Sequence, residues 1–410
     1  MSVPKLRFKE FDGDWSNKKI GNIASKVGSG STPRGGAEAY TDHGIIFIRS
    51  QNVNNDQLLL DDVAYIPEET HVKMSGSKVI ANDILLNITG ASIGRSCVVP
   101  HDFTEANVNQ HVCIIRTPND DPIFVQSFLS SENGQNAIQS KQAGGGREGL
   151  NFQAIRSIDF HFPPSKEEQT KIASFLSNVD EKISQLTQKH QLLSQYKQGM
   201  MQKLFSQQLR FKADDGSEFG EWGNKKLSEI AIKIKDGTHF SPKTLEIGEY
   251  KYLTSKNVKN GYLDFSNLEY VNKEEHLKIY SSCDVRHGDV LLTKDGTIGQ
   301  CCVNTLHEEF SLLSSVAFLR LKSEYNNFFL YHLLVSDLGQ KEIKGAIAGQ
   351  ALKRITLTKI NDFKFDFPCL AEQTKIANFL SAIDQKIEVV VQQIEQAKTW
   401  KKGLLQQMFV

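Results

Sequence analysis

Side chains that could perform chemistry are scattered through this chain, and none completes a catalytic motif that we recognise. A methyltransferase acting on an exocyclic base amine should carry Asn or Asp before Pro-Pro and an aromatic residue, but here Phe162 precedes Pro163 and Pro164. The glycine-rich stretch GSGSTPRGG at 28–36 matches neither GxGxxG nor the GxxxxGK[ST] of a phosphate-binding loop. We therefore expect neither a P-loop ATPase nor such a methyltransferase.

Acidic pairs and histidines are the remaining candidates for a metal site. Pairs such as Glu274-Glu275 are usually solvated charges, and no basic or histidine partner recurs beside them in both halves of the sequence. His71 and His276 do occupy matching positions, in EETHVK and KEEHLK, but within charged stretches that we expect to be exposed. We assign them a structural or surface role and predict no metal site.

Length and composition limit the remaining classes. The 410 residues are too many for one ordinary core, so two or three domains are expected. The 48 basic and 48 acidic residues balance, which argues against a free-standing, non-specific nucleic-acid binder. The six cysteines form no CxxC pair, and scattered reduced thiols are typical of a cytoplasmic protein. The sequence shows no signal-peptide pattern and no long apolar run, so we expect no membrane segment.

The second half of the sequence repeats the first. Between Glu168–Phe205 and Glu372–Phe409, 17 of 38 positions are identical without a gap. The blocks IIFIRSQNV and YKYLTSKNV, and the two LRFK segments, also match in the same order. Because several separate blocks match, the chain is a tandem duplication of a unit of about 205 residues.

Each copy consists of a globule followed by a helix. Short β-branched or aromatic runs alternate with Gly, Asn and Asp turns, which indicates a mixed α/β globule rich in strands. Prolines precede both helices, where they can end a strand. The predicted strands are Ile45–Ile48, Ile84–Leu86, Val112–Arg116, Tyr252–Leu253, Val290–Leu292 and Val316–Leu321. The predicted segments are a globule at 1–163, a helix at 164–205, a globule at 206–367 and a helix at 368–410.

Both helices carry a heptad repeat. Seventeen of twenty positions spaced alternately by four and three residues are apolar, which is the a/d seam of a coiled coil over five heptads. The polar exceptions are His190, Lys197 and Lys401, which can fix register at a cost in stability. The seam residues are Ile172, Leu176, Val179, Ile183, Leu186 and Leu193 in the first helix, and Ile376, Leu380, Ile383, Ile387, Val390 and Ile394 in the second.

The connections favour an antiparallel pair of helices. A parallel pair would require the second globule to carry the chain back over the full length of a helix, about 57 Å for 38 residues. We therefore expect an α+β protein in which two globules are separated by an antiparallel two-helix coiled coil with pseudo-twofold symmetry. Because Leu6-Arg7-Phe8-Lys9 repeats the segment after the first helix, it should lie where the second helix ends.

This organisation resembles the specificity (S) subunit of type I restriction–modification systems, over essentially the whole chain. The most specific part is Glu-Gln-x-Lys-Ile with a later Leu and Asp, at Glu168–Asp180 and again at Glu372–Asp384. GSGSTPRGG before IIFIRSQNV is similar to the entry of the family's target-recognition domains, whereas the second copy departs with KDGTHFSP.

The resemblance implies a non-catalytic subunit that reads a bipartite double-stranded DNA target, with one half-site for each globule. The helices would set the spacing and dock two methyltransferase (M) subunits, and restriction (R) subunits would join the full complex. No cofactor is expected on this chain, since S-adenosylmethionine, ATP and Mg would belong to the partner subunits.

Candidate DNA contacts are polar or basic residues on loops, since such side chains reach base edges and phosphates. In the first globule they are Ser31, Thr32, Arg34, Arg49, Gln51, Asn52, Arg95, Asn109, Gln110 and Arg147. In the second they are Thr238, His239, Lys256, Asn257, Lys294, Thr297, Lys344, Gln350 and Lys353.

Charge counts indicate that each isolated globule should bind DNA weakly. Residues 1–163 carry 15 basic and 18 acidic groups, and residues 206–367 carry 22 of each. Since phosphate neutralisation dominates affinity, a partner would have to supply part of it. Two alternatives remain: an enzyme with an unrecognised nuclease or transferase site in each globule, and a scaffold whose globules bind proteins.

Overall fold

The computed structural model describes residues 3–54, 56–142, 149–347 and 353–409. The chain divides into two units, and both long helices contribute to each of them. The first unit comprises Met1–Thr187 and Gln392–Val410, and the second comprises Gln188–Val391.

The globule of the first unit contains two four-stranded sheets. One has the order β6-β3-β10-β7, in which β3 and β10 are parallel, and the other is the antiparallel β2-β11-β8-β9. The strands are β1 Ser16–Lys19, β2 Lys26–Ser29, β3 Ile45–Ile48, β4 Val53–Asn54, β5 Gln57–Leu58, β6 Ala64–Ile66, β7 Lys78–Val79, β8 Ile84–Asn87, β9 Ser96–Val98, β10 Ala106–Val108, β11 Val112–Arg116 and β12 Asp159–Phe162. The helices are α1 Ile20–Ile23, α2 Glu68–Lys73, α3 Pro122–Ser130, α4 Glu132–Ser140, α5 Phe152–Arg156 and α6 Lys166–Phe205.

The second unit repeats this arrangement. Its sheets are β18-β15-β21, with β15 and β21 parallel, and the antiparallel β14-β22-β19-β20. The strands are β13 Gly223–Lys226, β14 Ala231–Asp236, β15 Tyr250–Leu253, β16 Val258–Lys259, β17 Tyr262–Leu263, β18 Glu269–Val271, β19 Val290–Thr293, β20 Cys301–Val303, β21 Ser311–Leu312, β22 Val316–Leu321 and β23 Lys364–Phe367. The helices are α7 Leu227–Ile230, α8 Lys273–Tyr280, α9 Asn327–Val335, α10 Asp337–Ala346, α11 Leu357–Asp362 and α12 Leu370–Met408.

The strands predicted from the sequence are confirmed, and three of them, β8, β15 and β19, are one or two residues longer than predicted at one end. Most of their residues are buried, and β8 and β19 are buried along their whole length. The small helices are delimited by caps. Asp121 accepts backbone hydrogen bonds at the start of α3, where Pro122 occupies the first turn. Asn326 does the same for α9.

The long helices pair antiparallel. In the first unit the start of α6, including Leu176, shares a core with the end of α12, including Leu405 and Phe409. In the second unit the start of α12, including Leu380, shares a core with the end of α6, including Phe205. Only an antiparallel pair brings the start of each helix to the end of the other, as the connections predicted.

The segment before β1 contacts the end of α12, as the repeat predicted. The backbone N–H of Leu6 donates to the carbonyl of Gln407 at 2.9 Å. In the second unit the N–H of Leu209 donates to the carbonyl of Lys203 at 3.1 Å; Leu209 is the counterpart of Leu6, and Lys203 is the counterpart of Gln407.

Candidate nucleic-acid interface

Four polar side chains of the first globule form one hydrogen-bonded chain beside the turn from β10 to β11. The Thr32 hydroxyl donates to Oε1 of Gln110 at 2.6 Å, and Nε2 of Gln110 lies 3.0 Å from Nε2 of His111. The other ring nitrogen of His111 lies 2.6 Å from the Thr89 hydroxyl. Thr32 and Gln110 are exposed, so these hydrogen-bonded side chains present a fixed polar surface to solvent.

A glycine makes this arrangement possible. A Cβ on Gly30 would lie 1.6 Å from the carbonyl oxygen of Val108, so a side chain cannot fit there. The N–H of Gly30 donates to the carbonyl of Asn109 at 3.1 Å, which joins the loop after β2 to the β10–β11 turn. The close approach explains one glycine of GSGSTPRGG and brings Thr32 beside Gln110.

The second globule has the same frame with different side chains. A Cβ on Gly237 would lie 1.9 Å from the carbonyl oxygen of Leu312. Thr238 donates its N–H to that oxygen at 2.7 Å and accepts from the N–H of Ser314 at 2.9 Å. Ser314 follows β21 by two residues, as Gln110 follows β10, so it takes the place of Gln110.

The turn after β3 contributes a second group of polar side chains. Gln51 donates to Asp62 at 2.7 Å, and a guanidinium nitrogen of Arg49 lies 3.6 Å from the same carboxylate. Nε of Arg49 is buried without a hydrogen-bond partner within the described chain. Arg49 and Gln51 therefore stay in the candidate set, since both lie at the surface of the globule.

Asn52 and Asn257 leave the candidate set because both are buried and their amides are already paired. Oδ1 of Asn52 accepts from the N–H of Arg49 at 2.9 Å, and its amide donates to the carbonyls of Leu59 and Asp62. Asn257 makes the equivalent bonds around its own turn. Their recurrence in both copies reflects the turn, and sequence alone did not separate this role from base reading.

Three further candidates have polar groups already used within the fold. Lys294 is buried, and its ammonium lies 3.2 Å from Asp236 and 3.3 Å from Asp295. Thr238 is buried, and its hydroxyl accepts from a backbone N–H. Asn109 is also buried, and its Oδ1 accepts from the N–H of His111 at 3.0 Å. We remove all three, because exposing them would break these bonds.

The remaining candidates are distributed more widely. Exposed side chains in the described residues are Ser31, Arg34, Arg95, His239, Lys256, Thr297, Lys344 and Lys353. His239 lies 3.3 Å from Asp236, and the Thr297 hydroxyl donates to the carbonyl of Ser255 at 3.3 Å. Arg147 and Gln350 lie outside the described residues.

The expected exposure of His71 and His276 is wrong, because both rings are fully buried. Nδ1 of His71 lies 2.5 Å from Oδ1 of Asn107, and its Nε2 lies 3.1 Å from Glu105. His276 pairs with Ser311 and Glu309 in the same way. Each ring fastens a small helix to a strand, so the role is structural. No cluster of three potential metal-binding side chains occurs among the described residues.

The Glu-Gln pair that starts each long helix fastens that helix to its globule. Glu168 is buried and accepts two bonds from the Arg7 guanidinium, at 2.7 and 2.8 Å, and one from the Trp15 indole at 3.3 Å. The hydrogen bond to Glu168 raises the pKa of Arg7. Glu372 holds Arg210 and Trp222 in the same way. We call this arrangement the Glu-Arg-Trp clasp.

The neighbouring glutamines cap the loops before α3 and α9. Oε1 of Gln169 accepts from the N–H of Asp121, and Oε1 of Gln373 accepts from that of Asn326, each at 2.9 Å. The sequence shows that the Glu-Gln pair is repeated, but it does not show what the glutamines bind. The Glu-Gln pair recurs with an Arg and a Trp upstream in both copies, and this shared pattern is the sequence signal that could have indicated the contacts.

The heptad positions lie on the inner faces of the helices. Every predicted seam position is buried or half-buried. The two seam lysines are paired, since Lys401 lies 2.7 Å from Asp180 in the first unit and Lys197 lies 2.5 Å from Asp384 in the second. Burial opposes the charge of Lys401, but Asp56 and Asp180 more than offset this and raise its pKa.

The chain is similar to known proteins over most of its length. Residues 12–195 and 220–399 match the family described as type I restriction modification DNA specificity domain. The chain is 27% identical over 350 residues to the type I restriction enzyme MjaVIII specificity subunit of Methanocaldococcus jannaschii, covering 82% of this chain and 80% of the relative. It is 24% identical to the putative MjaX specificity subunit of the same organism, covering 98% and 94%.

Solved structures share the fold. The type I restriction-modification S subunit from M. genitalium superposes with a TM-score of 0.63 at 16% identity, covering 100% of this chain and 99% of that one. A second solved structure is described as showing complex assembly and conformational transition of the type I R-M system. One of its chains superposes with a TM-score of 0.56 at 15% identity, covering 96% of this chain and 97% of that one. The predicted fold class is confirmed.

Among the described residues, no helix combines the length and apolarity needed to cross a membrane. The family model covers both copies of the repeat, including most of each long helix. The chain therefore belongs to the type I restriction modification DNA specificity domain family.

Proposed function

We propose that this chain is the sequence-reading subunit of a type I restriction–modification complex. Each globule reads one half of a bipartite double-stranded DNA target. The length of the paired helices sets the spacing between the half-sites, and two methyltransferase subunits dock on the chain. Restriction subunits join the same complex.

One observation supports this proposal most strongly. Both globules build the same frame around Gly30 and Gly237, but they present different side chains from it, Gln110 in the first and Ser314 in the second. A shared frame with exchanged surface groups suits two readers of different base sequences, since base edges are distinguished by hydrogen-bond pattern. A duplicated enzyme would instead be expected to repeat its reactive groups.

The charge balance supports a division of labour with partners. Neither globule carries a basic excess, so phosphate contacts from this chain alone would give weak binding. We infer that the methyltransferase subunits supply much of the phosphate contact. S-adenosylmethionine, and ATP and Mg for the restriction subunits, would bind to the partners, and chemistry on DNA would be theirs.

The long helices offer apolar surface for such partners. Leu192 and Tyr196 of α6 and Val389 of α12 are each more than half exposed in the second unit, at 57%, 51% and 52%. Trp400, the counterpart of Tyr196, is 54% exposed in the first. Large exposed side chains on helices already paired along their seam are suited to a further helix.

Exchange of one globule tests the proposal. Residues 206–367 are replaced by the equivalent region of a related protein, and the methylation pattern of cells carrying the chain with its methyltransferase is mapped. We expect one half-site to change while the other half-site and the spacing persist, since the first globule and both helices are untouched.

The matched control exchanges residues 1–163 and should change the opposite half-site. Two results would contradict the proposal. One is a wild-type complex that methylates no defined sequence, and the other is exchanges that leave the recognised sequence intact. If either exchange altered both half-sites together, the two globules would not be independent readers.

A further inference from the structure

We propose that Gln110 reads an adenine in the half-site of the first globule, held in reading geometry by Thr32 and His111. This inference rests on the proposed function and names a specificity-determining residue within it. It concerns the hydrogen-bonded chain beside the β10–β11 turn.

The hydrogen bonds that Gln110 already makes determine what it can still bind. A glutamine amide has two acceptor positions on Oε1 and two N–H donors on Nε2. Thr32 occupies one acceptor position, at 2.6 Å, and Nε2 directs one N–H to His111, at 3.0 Å. One acceptor position and one N–H remain on this exposed amide.

This remaining pair matches one base edge. In the major groove adenine presents its N6 amino group as a donor and N7 as an acceptor, and a glutamine amide binds both together. Guanine presents two acceptors, cytosine a donor alone, and thymine an acceptor and a methyl group, so none of them satisfies the pair. The edge of an adenine is therefore the one that leaves no group of Gln110 unpaired.

The surroundings hold the amide in one orientation. Nε2 of His111 lies 3.0 Å from the amide nitrogen of Gln110, and Nδ1 of the same ring lies 2.6 Å from the Thr89 hydroxyl. The turn beneath is anchored by Asn109, whose carbonyl accepts from Gly30 and whose Oδ1 accepts from His111. A side chain fixed before binding loses less entropy on contact, which favours both affinity and selectivity.

The second globule gives an internal comparison. Ser314 stands in the place of Gln110, and a serine hydroxyl can donate or accept with different bases. The contact that Gln110 makes with an adenine should therefore have no equivalent at Ser314 in the second globule.

The experiment maps methylation in cells carrying the chain with its methyltransferase. Gln110→Ala should relax one position from adenine to several bases, lowering the preference for adenine about 5- to 150-fold, the value of one bidentate contact. The other half-site and the spacing should be unchanged. Gln139→Ala, at an exposed glutamine of α4, is the matched control and should leave the recognised sequence intact.

Thr32→Val tests positioning, because it removes the hydroxyl that orients the amide and keeps Gln110. It should relax the same position by a smaller factor. If Gln110→Ala abolishes methylation, the purified complex is tested by competition with duplexes substituted at each position. Loss of discrimination at one adenine supports the inference, and undiminished discrimination at every position overturns it.

Failure of this inference differs from failure of the proposed function. A defined wild-type methylation motif that persists unchanged in Gln110→Ala overturns the adenine contact alone. A relaxed position that is not adenine in the wild-type motif also overturns it. A wild-type complex without any motif overturns the proposed function.

Discussion

The two units use different groups to hold the seam lysine contributed by the far helix. In the first unit Lys401 lies between Asp180, at 2.7 Å, and Asp56, at 2.8 Å. In the second, Lys197 pairs with Asp384 and lies 5.9 Å from the centre of the Tyr331 ring. The equivalent lysines thus share one aspartate contact, and the additional contact is a second carboxylate in the first unit and an aromatic face in the second.

The backbone at this point shows what the carboxylate is for. Asp56 ends the β4–β5 turn with φ of 60°, a conformation that favours glycine, and its counterpart in the second unit is Gly261, with φ of 91°. Asp56 also accepts from Ser130 and Gln126. An aspartate in a conformation suited to glycine indicates that its contacts outweigh the strain. Duplicated frames can diverge by such local exchanges while their topology stays fixed.

Breaking the Glu-Arg-Trp clasp should have the largest effect on stability. Glu168→Ala and Glu372→Ala each leave a guanidinium without its buried partner, which should cost about 3 to 5 kcal/mol in the free energy of unfolding. Chemical denaturation measures the loss. Since the clasp has the same geometry in both units, the two losses should be similar.

Glu167→Ala is the matched control, because Glu167 is exposed one residue earlier in the same helix. It should change stability by less than about 0.5 kcal/mol. A Glu168→Ala protein as stable as this control would show that the clasp contributes nothing.

Exchanging the turn residue between units should have an intermediate effect. Asp56→Gly removes the backbone strain, worth up to about 1 kcal/mol, but also the bonds to Lys401, Ser130 and Gln126. We expect a net loss of about 1 to 2 kcal/mol in thermal or chemical unfolding. A more stable Asp56→Gly protein would contradict our reading of the turn.

The reverse exchange, Gly261→Asp, should also destabilise. A Cβ at this position would lie 2.8 Å from the Tyr331 hydroxyl, and the positive φ disfavours any side chain. If each unit tolerated the residue of the other, the two ways of holding the lysine would be interchangeable.

The smallest expected effect at neutral pH is a difference in acid sensitivity, which grows as the pH falls. His332 of α9 is fully buried, where α3 has Ser127 at the same position. Burial, with a smaller contribution from Lys197, lowers the pKa of His332 to about 3. The unfolded chain binds this proton near pH 6.5, so stability falls with pH below that value, by at most about 1.4 kcal/mol per pH unit.

His332→Gln should flatten the decline of stability between about pH 6 and pH 4, because glutamine does not titrate there. Hydrogen exchange of amides in the second unit, followed over this pH range, measures how stability declines. His101→Gln, at an exposed histidine, should leave the slope unchanged. An unaltered slope in His332→Gln would show that another group controls acid unfolding.

Much of the fold could be predicted because it depends on patterns along the chain. Apolar runs such as Val112–Arg116 form strands, and the heptads place the long helices. The antiparallel pairing followed from the order of the segments. Each of these depends on residues near one another in sequence or on the repeat itself.

Side-chain roles were harder to predict, since a polar residue buried by a distant partner looks the same as an exposed one. Lys294 is an example, because it pairs with Asp236, 58 residues earlier. His71 is buried by its contacts with Glu105 and Asn107. The sequence located the loops of the candidate interface, but only the fold separated surface groups from structural ones.

The hydrogen bond between Leu6 and Gln407 gives the first unit a joint that can open without breaking the chain. In the second unit Leu209 reaches Lys203 across a few covalently linked residues, so the contact reforms quickly after any opening. The segment around Leu6 behaves instead as a tethered ligand, held by Gln407, by Glu168 through Arg7 and by the Phe8–Phe175 contact at 5.7 Å. A free peptide with the sequence of residues 3–12 should compete with it for these contacts.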